Sequence, residues 1–167
     1  MGEAYRVGIG YDIHRLAVDR KLLLAGVRVP FTKGLLGHSD SDVLAHAVCD
    51  ALLGAAALGD IGTHFPDTDP RWRGASSLDF LRHAIKLITA KGYRVCNVDA
   101  TVIAEQPKLK PYIPAMRQQL ATVLNVAADC ISVKAKTNEG LDAIGRGDAM
   151  AAHAIVMLAR PTASGGP

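Results

Sequence analysis

Hydrophobic and polar residues alternate from the start of the chain. Tyr5, Val7, Ile9, Tyr11 and Ile13 alternate with Arg6, Gly8, Gly10, Asp12 and His14. This period of two predicts a β-strand with one bulky apolar face. We expect that face to lie against the core. The opposite face carries little side-chain bulk, which allows another group to approach closely.

Short apolar runs and glycines mark the next elements. The stretches "KLLLAG" and "VRVPF" predict two short strands joined at Ala25-Gly26, and "GLLGHSDSD" predicts a glycine-rich loop. A helix is expected from about Asp40 or Ser41 to Leu58, since Ser39, Asp40 and Ser41 are good N-caps and Gly59 is a natural stop. Residues 59–74 have neither helical nor strand period and predict a long, functional loop.

The second half of the chain alternates helices and strands. Helices are predicted over 77–91 and 111–124, and strands over 93–104, 131–136 and 150–160. This order predicts an α/β fold of an α+β, sandwich-like kind, in which a mixed β-sheet carries about three helices packed on one face. We expect residues 1–160 to form a single domain and residues 161–167 a flexible tail.

Composition excludes several classes of protein. Hydrophobic residues make up 49% and charged residues 21%, and the net charge is +3, which excludes wholesale disorder and favours neither a nucleic-acid coat nor a membrane surface. The strand pattern begins within a few residues, which leaves no room for a signal peptide, so a cytoplasmic protein is expected. Cys49, Cys96 and Cys130 have no C-x-x-C spacing and are interpreted as small buried hydrophobic residues.

One candidate metal site combines the first strand with the first helix. Asp12 and His14 leave the same face of a strand roughly 6.6 Å apart, although a polar strand end would look the same. His46 lies mid-helix, where Asp42 or Asp50, one turn away, could hold its ring in a ligating orientation. Two histidines and an aspartate would leave a fourth tetrahedral position open, as in catalytic zinc sites. A helix histidine paired with a neighbouring acid is the alternative for His46.

Several polar groups could contact an anion. His38 and Ser39 precede a helix, where Ser39 could cap the helix or present a donor to a phosphate. Lys134, Lys136 and Thr137 end a strand that runs into a glycine. Each lysine on its own is most often a solvated surface charge.

Taken together, these motifs resemble a known family. "GYDIHRL", "GHSDSDVLAHAVCDALLGAAALGDIGTHFPDTDP" and the "GRG" near the carboxyl end are similar to the 2-C-methyl-D-erythritol 2,4-cyclodiphosphate synthases of the non-mevalonate isoprenoid pathway. The resemblance covers residues 6–158. It implies a lyase that closes the 2-phosphate of 4-diphosphocytidyl-2-C-methyl-D-erythritol 2-phosphate onto its β-phosphorus and releases CMP.

The resemblance also implies cofactors and an assembly. One divalent metal per subunit, most often zinc, would be held by Asp12, His14 and His46, and a second ion, Mg²⁺ or Mn²⁺, would lie at the substrate diphosphate. The family forms homotrimers with active sites between adjacent subunits and a central apolar cavity. Neither a nucleic acid nor a membrane is implied as a partner.

Site residues follow from matching positions. Transition-state stabilisation would fall to His38 and Thr137. Residues implied to contact substrate are Ser39, Asp60, Ile61, Gly62, Phe65, Pro66, Asp67, Thr68, Asp69, Lys136, Glu139, Ala143 and Arg146. The implied cytidine pocket consists of Ala104, Glu105, Gln106, Pro107, Lys108, Leu109 and Lys110. Gly8 and Gly10 would keep their strand face clear, so a bulky residue at Gly10 is expected to impair substrate binding more than folding.

Four positions depart from the family pattern. Within "KAKTNEGLDAIGRG", Lys136 replaces a threonine, Gly140 a lysine, Asp142 a glycine and Ala143 an aromatic residue. Lys136 could strengthen a phosphate contact, whereas Ala143 removes bulk near the substrate or the cavity. Two alternatives remain at this level: a zinc-dependent phosphoesterase, whose metal and phosphate groups would look alike, and a noncatalytic ligand-binding trimer.

Overall fold

A five-stranded mixed sheet organises the chain in the computed structural model, which describes residues 2–162. The strand order is β4-β1-β7-β5-β6. The strands are β1 (Glu3–Val18), β4 (Lys33–Leu36), β5 (Arg94–Ile103), β6 (Ile131–Lys136) and β7 (Ala149–Pro161). All neighbours are antiparallel except β5 and β6. The predicted short strands, β2 (Leu22–Leu24) and β3 (Val27–Val29), form a separate hairpin.

Three long helices in residues 2–162 match the predicted ones. They are α1 (Val43–Ala55), α3 (Ser77–Ala90) and α4 (Ile113–Leu124). The helix α1 starts later than expected because Asp42, not Ser39 or Asp40, is its N-cap and accepts a hydrogen bond from the Ala45 N–H. The core lies between these helices and one face of the sheet, so the predicted mixed α/β architecture is confirmed.

Segments expected to be loops contain short regular elements. The strand β4 begins the predicted loop 34–42, because its residues pair with Arg15–Val18 of β1. The short helix α2 (Ile61–His64) and a 3₁₀ turn at Pro70–Trp72 lie within the long loop 59–74, and α5 (Asp142–Gly145) lies in the late glycine-rich loop. Short elements of this kind are set by caps and turns, which periodicity does not reveal.

The face of β1 that lies against the core is the opposite of the one predicted. The apolar side chains are open in the single chain, with Ile9 71% and Val7 67% exposed, whereas Gly8 and Gly10 are buried. The two glycines allow the backbone of α1 to lie directly on the strand: a Cβ atom at Gly8 would lie 2.0 Å from the Ala51 carbonyl oxygen. The glycines therefore serve helix packing, and the expectation that bulk at Gly10 affects substrate binding more than folding is wrong.

The expectations for the cysteines and for the carboxyl-terminal tail are confirmed only in part. Cys49 is buried as predicted, but Cys96 and Cys130 are half-buried because they lie at a bulge of β5 and just before β6. No helix within residues 2–162 is both long and apolar enough to cross a membrane. Of the predicted tail, Pro161 belongs to β7, Thr162 is hydrogen-bonded to Gly2, and 163–167 lie outside the described residues.

Candidate metal centre and active-site cleft

Asp12, His14 and His46 bring one ligand atom each to a common point. The Asp12 Oδ2 lies 2.8 Å from His46 Nδ1 and 3.0 Å from His14 Nε2, and the two nitrogens are 3.2 Å apart. Ligand atoms of a tetrahedral zinc ion, with bonds near 2.0–2.1 Å, lie roughly 3.3 Å apart. The three atoms are therefore close to the spacing that a divalent ion needs, and the donor set fits one.

Strand β1 and helix α1 position this group. Asp12 and His14 lie two residues apart on one face of β1, as predicted, but that face is the one that lies against the core. His46 faces them from the first turns of α1, one residue before Ala47, whose carbonyl oxygen rests on Gly10. Close contact between helix and strand at the glycines is what brings His46 within reach of Asp12.

Interactions among these side chains shift the pKa values of Asp12 and His46 in opposite directions. Burial opposes ionisation of Asp12, but hydrogen bonds from His14 and His46 and their charges outweigh it and hold the pKa of this carboxyl far below its usual range. Burial likewise disfavours charge on His46, yet the hydrogen bond and charge of Asp12 raise its pKa. An ionised carboxylate facing two imidazoles suits a cation at this position.

Neither predicted acid orients His46. Asp42 accepts hydrogen bonds from the backbone N–H groups of Ala25, Gly26 and Ala45, and Asp50 accepts one from Ile61. These carboxylates instead fix the β2–β3 hairpin, the start of α1 and the start of α2. Burial raises the pKa of Asp42 to about 6, against those backbone hydrogen bonds.

Two serines contact the second ring nitrogen of His46 instead. Its Nε2 lies 2.8 Å from Ser77 Oγ and 3.1 Å from Ser39 Oγ. The sequence indicates Ser39 only as a helix cap or a phosphate donor, and it gives no sign of the contact with Ser77. Ser77 is 31 residues from His46 and begins a different helix, so no local spacing signals the contact.

An open cleft of about 480 Å³ extends from the three ligand residues. Its lining contains most of the predicted site residues from the first half of the chain, together with Trp72 and Phe80, which were not predicted. The lining residues are Asp12, His14, His38, Ser39, His46, Ile61, Gly62, Phe65, Pro66, Asp67, Trp72 and Phe80. A cleft that joins a cation site to hydroxyl and imidazole groups can hold a phosphorylated small molecule.

Aromatic stacking shapes one wall of the cleft. The rings of Phe65 and Phe80 stack with centroids 4.2 Å apart, and Trp72 meets Phe65 edge-on at 5.1 Å. Phe80 also stacks on His46 at 6.0 Å. Two of the chain's three phenylalanines and its single tryptophan lie within residues 65–80. This concentration was the available sequence signal for the aromatic wall.

The rest of segment 60–69 lies at the rim. Asp60 caps α2 through the Thr63 N–H at 2.8 Å, and Asp69 forms an ion pair with Arg71 at 2.6 Å. Thr68 is exposed. The structure therefore places these three predicted residues beside the cleft and does not include them in its lining.

A second group of predicted residues comes together at the ends of β5 and β6. The Ala104 N–H donates to the Lys136 carbonyl at 2.9 Å, and the Asn138 N–H donates to the Glu105 carboxylate at 3.2 Å. Thr137 donates its hydroxyl to Glu139 at 2.8 Å. The predicted cytidine loop, Ala104–Lys110, is thus tied to the stretch from Lys136 to Glu139.

The two groups are separate within one chain. Asp12 pairs with Ala152, which pairs with Val102, which in turn pairs with Ala135. Three strand spacings, about 14 Å, therefore lie between the metal-ligand strand and the strand that leads to Thr137. No residue of the second group lines the cleft.

Ala143 and Arg146 belong to a third location. Together with His14 and Asp148 they border a separate open cavity of about 600 Å³. Arg146 forms an exposed ion pair with Asp148 at 3.2 Å. His14 is common to both cavities, so these residues lie beside the candidate metal centre.

Comparison with known proteins gives a consistent result. Residues 5–159 match the sequence profile of the YgbB family. The 2-C-methyl-D-erythritol 2,4-cyclodiphosphate synthase of Trichlorobacter lovleyi is 57% identical over 153 residues, which cover 92% of this chain and 98% of that protein.

Solved structures that are similar to this chain indicate the same family. A 2C-methyl-D-erythritol-2,4-cyclodiphosphate synthase in a CDP-bound form has a TM-score of 0.85 and 42% identity, with coverage of 92% of this chain and 99% of that one. The bifunctional IspDF of Campylobacter jejuni has a TM-score of 0.92 and 42% identity over 96% of this chain, which spans 43% of that longer protein. The chain therefore belongs to the YgbB family, the family of the 2-C-methyl-D-erythritol 2,4-cyclodiphosphate synthases.

Proposed function

We propose that this chain converts 4-diphosphocytidyl-2-C-methyl-D-erythritol 2-phosphate to 2-C-methyl-D-erythritol 2,4-cyclodiphosphate and releases CMP. The observation that carries the proposal is the convergence of Asp12, His14 and His46 at the head of a cleft that also contains His38 and Ser39. The 57% identity to a synthase of this name supports the same reaction.

Three side chains are proposed to hold the metal. Asp12, His14 and His46 would bind one divalent ion, and zinc fits a site of two imidazoles and one carboxylate with an open fourth position. The bound ion would supply Lewis-acid stabilisation of charge on phosphoryl oxygens. A second ion, Mg²⁺ or Mn²⁺, is assigned to Glu139, whose exposed carboxylate is the kind of oxygen ligand that these ions prefer.

Ser39 and His38 are proposed to position the substrate phosphate. The Ser39 Oγ accepts a hydrogen bond from the Ser41 N–H at 3.1 Å, which leaves the hydroxyl proton available to a ligand in the cleft. His38 is exposed and lines the same cleft. An imidazole and a hydroxyl beside a cation site can orient a phosphate and donate to its oxygens.

Orientation is the main catalytic task in this proposal. The attacking 2-phosphate and the β-phosphorus belong to the same substrate molecule, so no nucleophilic serine or cysteine is required. Holding two reacting groups in line can be worth about 7–11 kcal/mol. The short helix α2, the Phe65–Asp67 turn and the aromatic wall would fold the methylerythritol part against the cations and exclude water.

We propose a homotrimer with active sites between subunits. The cytidine loop follows a strand two spacings from β1, and Thr137 follows a strand three spacings from β1. One chain's metal group and a neighbour's second group would together surround an extended substrate. The open face of the sheet supports association, because Val7, Ile9 and Ile155 are exposed there side by side. Exposed apolar side chains that lie side by side on a sheet are typical of subunit interfaces.

Two of the departures from the family pattern, Lys136 in the second group and Ala143 in the third location, fit this arrangement. Lys136 is exposed at the end of β6, next to Thr137 and Glu139, where its ammonium would contact the diphosphate directly. Ala143 borders the cavity shared with His14, and its small side chain would leave more room there than an aromatic one. Arg146, in the same cavity, is assigned to a phosphate.

Phosphorus NMR of the purified protein with the cytidyl substrate tests the proposal. Appearance of a cyclic diphosphate together with CMP is the expected result. Release of inorganic phosphate would show a phosphoesterase instead, and substrate that binds without turnover in the presence of zinc and Mg²⁺ would show a noncatalytic binding protein. Either outcome would contradict the proposed reaction.

A further inference from the structure

A series of hydrogen-bonded polar groups leads from the half-buried Asp40 through the buried Ser77 to the buried His46. Ser77 is fully buried, and its Oγ contacts both the carboxylate of Asp40 and the Nε2 of His46, the latter at 2.8 Å. Asp40 is fixed in turn, because the backbone N–H groups of Ser77 and Asp42 donate to its two oxygens at 3.0 and 3.2 Å. None of these contacts involves the face of His46 that meets Asp12.

The number of protons available determines which of these polar groups donates each hydrogen bond. A carboxylate accepts hydrogen bonds, so the single hydroxyl proton of Ser77 is donated to Asp40. Towards His46, the Ser77 oxygen then offers only lone pairs. The Nε2 of His46 is therefore the donor to Ser77 at 2.8 Å. Ser39 Oγ lies further away, at 3.1 Å, and can accept from the same N–H while it accepts from the Ser41 N–H.

In the neutral form of His46 that binds a metal, donation from Nε2 determines which ring nitrogen is free. The Nδ1 proton that is donated to Asp12 in the metal-free protein is released when the ion binds. A neutral imidazole that carries its proton on Nε2 has its lone pair on Nδ1. The Nδ1 atom is the one that lies 2.8 Å from Asp12 and 3.2 Å from His14 Nε2, at the point where the three ligand atoms converge.

We infer that Asp40 and Ser77 are positioning residues that fix the tautomer and the ring orientation of His46 for metal binding. Ligating histidines commonly donate their second N–H to a partner of this kind, and loss of the partner lowers metal affinity about ten- to hundredfold. The inference rests on the metal site of the proposed function, but not on the reaction carried out there.

The location of Ser77 gives the pair a structural consequence. Ser77 is the first residue of α3, and Asp40 directly precedes the loop into α1. The Asp40 N–H also donates to the Ala75 carbonyl at 3.0 Å. The contact that orients His46 is therefore the same one that joins the starts of two helices, so the ligand geometry depends on their correct docking.

Nitrogen-15 NMR of the zinc-loaded wild-type protein tests the hydrogen bond without any substitution. We expect a His46 Nε2–H resonance that exchanges slowly with solvent, since the donor is buried against Ser77. A His46 whose Nε2 carries no proton, or whose Nε2–H exchanges as fast as that of a solvent-exposed histidine, would overturn the inference.

Matched variants test the effect on affinity. Ser77→Ala removes the acceptor, whereas Ser76→Ala removes the N-cap of the same helix, which accepts from the Leu78 N–H at 3.3 Å and does not contact His46. Zinc affinity, measured by competition with a chromophoric chelator, is expected to fall about ten- to hundredfold in Ser77→Ala and to stay within about twofold of wild type in Ser76→Ala. The Nε2–H is expected to exchange as slowly as in wild type in Ser76→Ala and faster in Ser77→Ala, where only the longer contact with Ser39 at 3.1 Å remains.

Two results of this comparison would reject the positioning role. One is wild-type zinc affinity in Ser77→Ala; the other is an equal loss in both variants, which would show that only the stability of α3 matters. Both measurements use binding rather than turnover, so they remain decisive even if the protein fails to cyclise the cytidyl substrate.

Discussion

Gly10 lies directly against the backbone of Ala47, and a Cβ atom added to Gly10 would lie 1.8 Å from the Ala47 carbonyl oxygen. Backbone cannot move aside as a side chain can, so Gly10→Ala must push α1 away from β1. We expect a loss of about 3 kcal/mol or more of unfolding free energy. Urea denaturation of the metal-free variant provides the measurement.

Gly54 is the matched control for this substitution. A Cβ atom there would come no closer than 3.9 Å to its nearest neighbour, the Ile9 carbonyl oxygen. Gly54→Ala is expected to leave stability unchanged or to raise it by about 0.5–1 kcal/mol, because alanine favours the helix. Equal stability of the two variants would show that helix and strand are not in the contact described.

The alternation in β1 shows what a sequence pattern can and cannot predict. It identified the strand and grouped Asp12 with His14 on one face, but it could not determine which face is covered. Hydrophobicity favours the face of Tyr5, Val7 and Ile9, yet a helix backbone needs the bare face of Gly8 and Gly10. Close packing decided the arrangement within the chain, and the apolar face is exposed in the single chain.

Substitution of that open face tests the proposed trimer. Ile9 is 71% exposed and pairs with Ile155 in the middle of the sheet, whereas Val18 is 67% exposed at the end of β1. Ile9→Lys places a charge in the proposed interface, and Val18→Lys, at equal exposure, does not. Light scattering is expected to give three chains for the wild type and for Val18→Lys, and one for Ile9→Lys. A monomeric wild type would refute the assembly.

Burial of Asp42 predicts a pH dependence of stability. Its pKa is raised from 3.8 to about 6, so between pH 4 and pH 6 the folded chain binds a proton that the unfolded chain has released. Stability from this group is therefore largest at low pH and falls as pH rises through the window, by about 3 kcal/mol at most.

Asp42→Asn cannot titrate and isolates this contribution. In urea denaturation of metal-free protein, the advantage of wild type over Asp42→Asn is expected to be smaller at pH 7 than at pH 4. An advantage that is constant, or that grows with pH, would mean that the three backbone donors to Asp42 keep the carboxylate charged throughout.

The cysteines are expected to differ in reactivity. Burial raises the pKa of the Cys49 thiol, whereas Cys96 and Cys130 are half-buried. Because the thiolate is the reactive species, iodoacetamide should label Cys96 and Cys130 in the native protein and Cys49 only after denaturation. Peptide mass spectrometry measures each site, and native labelling of Cys49 would indicate that α1 opens readily.

The metal ligands themselves were accessible to sequence analysis, but their support was not. Asp12, His14 and His46 follow from strand and helix spacing together with family resemblance. Ser77 and the aromatic pair of Phe65 and Phe80 depend on how α3 docks against α1, which is a contact between distant segments. Asp42 and Asp50 were predicted to orient His46 because they lie one turn from it. Both carboxylates instead accept hydrogen bonds from backbone N–H groups, such as those of Gly26 and Ile61.

Metal content and turnover measured together in His46→Ala show whether catalysis depends on a metal held by Asp12, His14 and His46. His83→Ala serves as the control, because His83 is exposed and lies outside the cleft lining. The account predicts that His46→Ala loses both bound zinc and formation of the cyclic diphosphate, while His83→Ala retains both. Turnover at the wild-type rate in His46→Ala would contradict it.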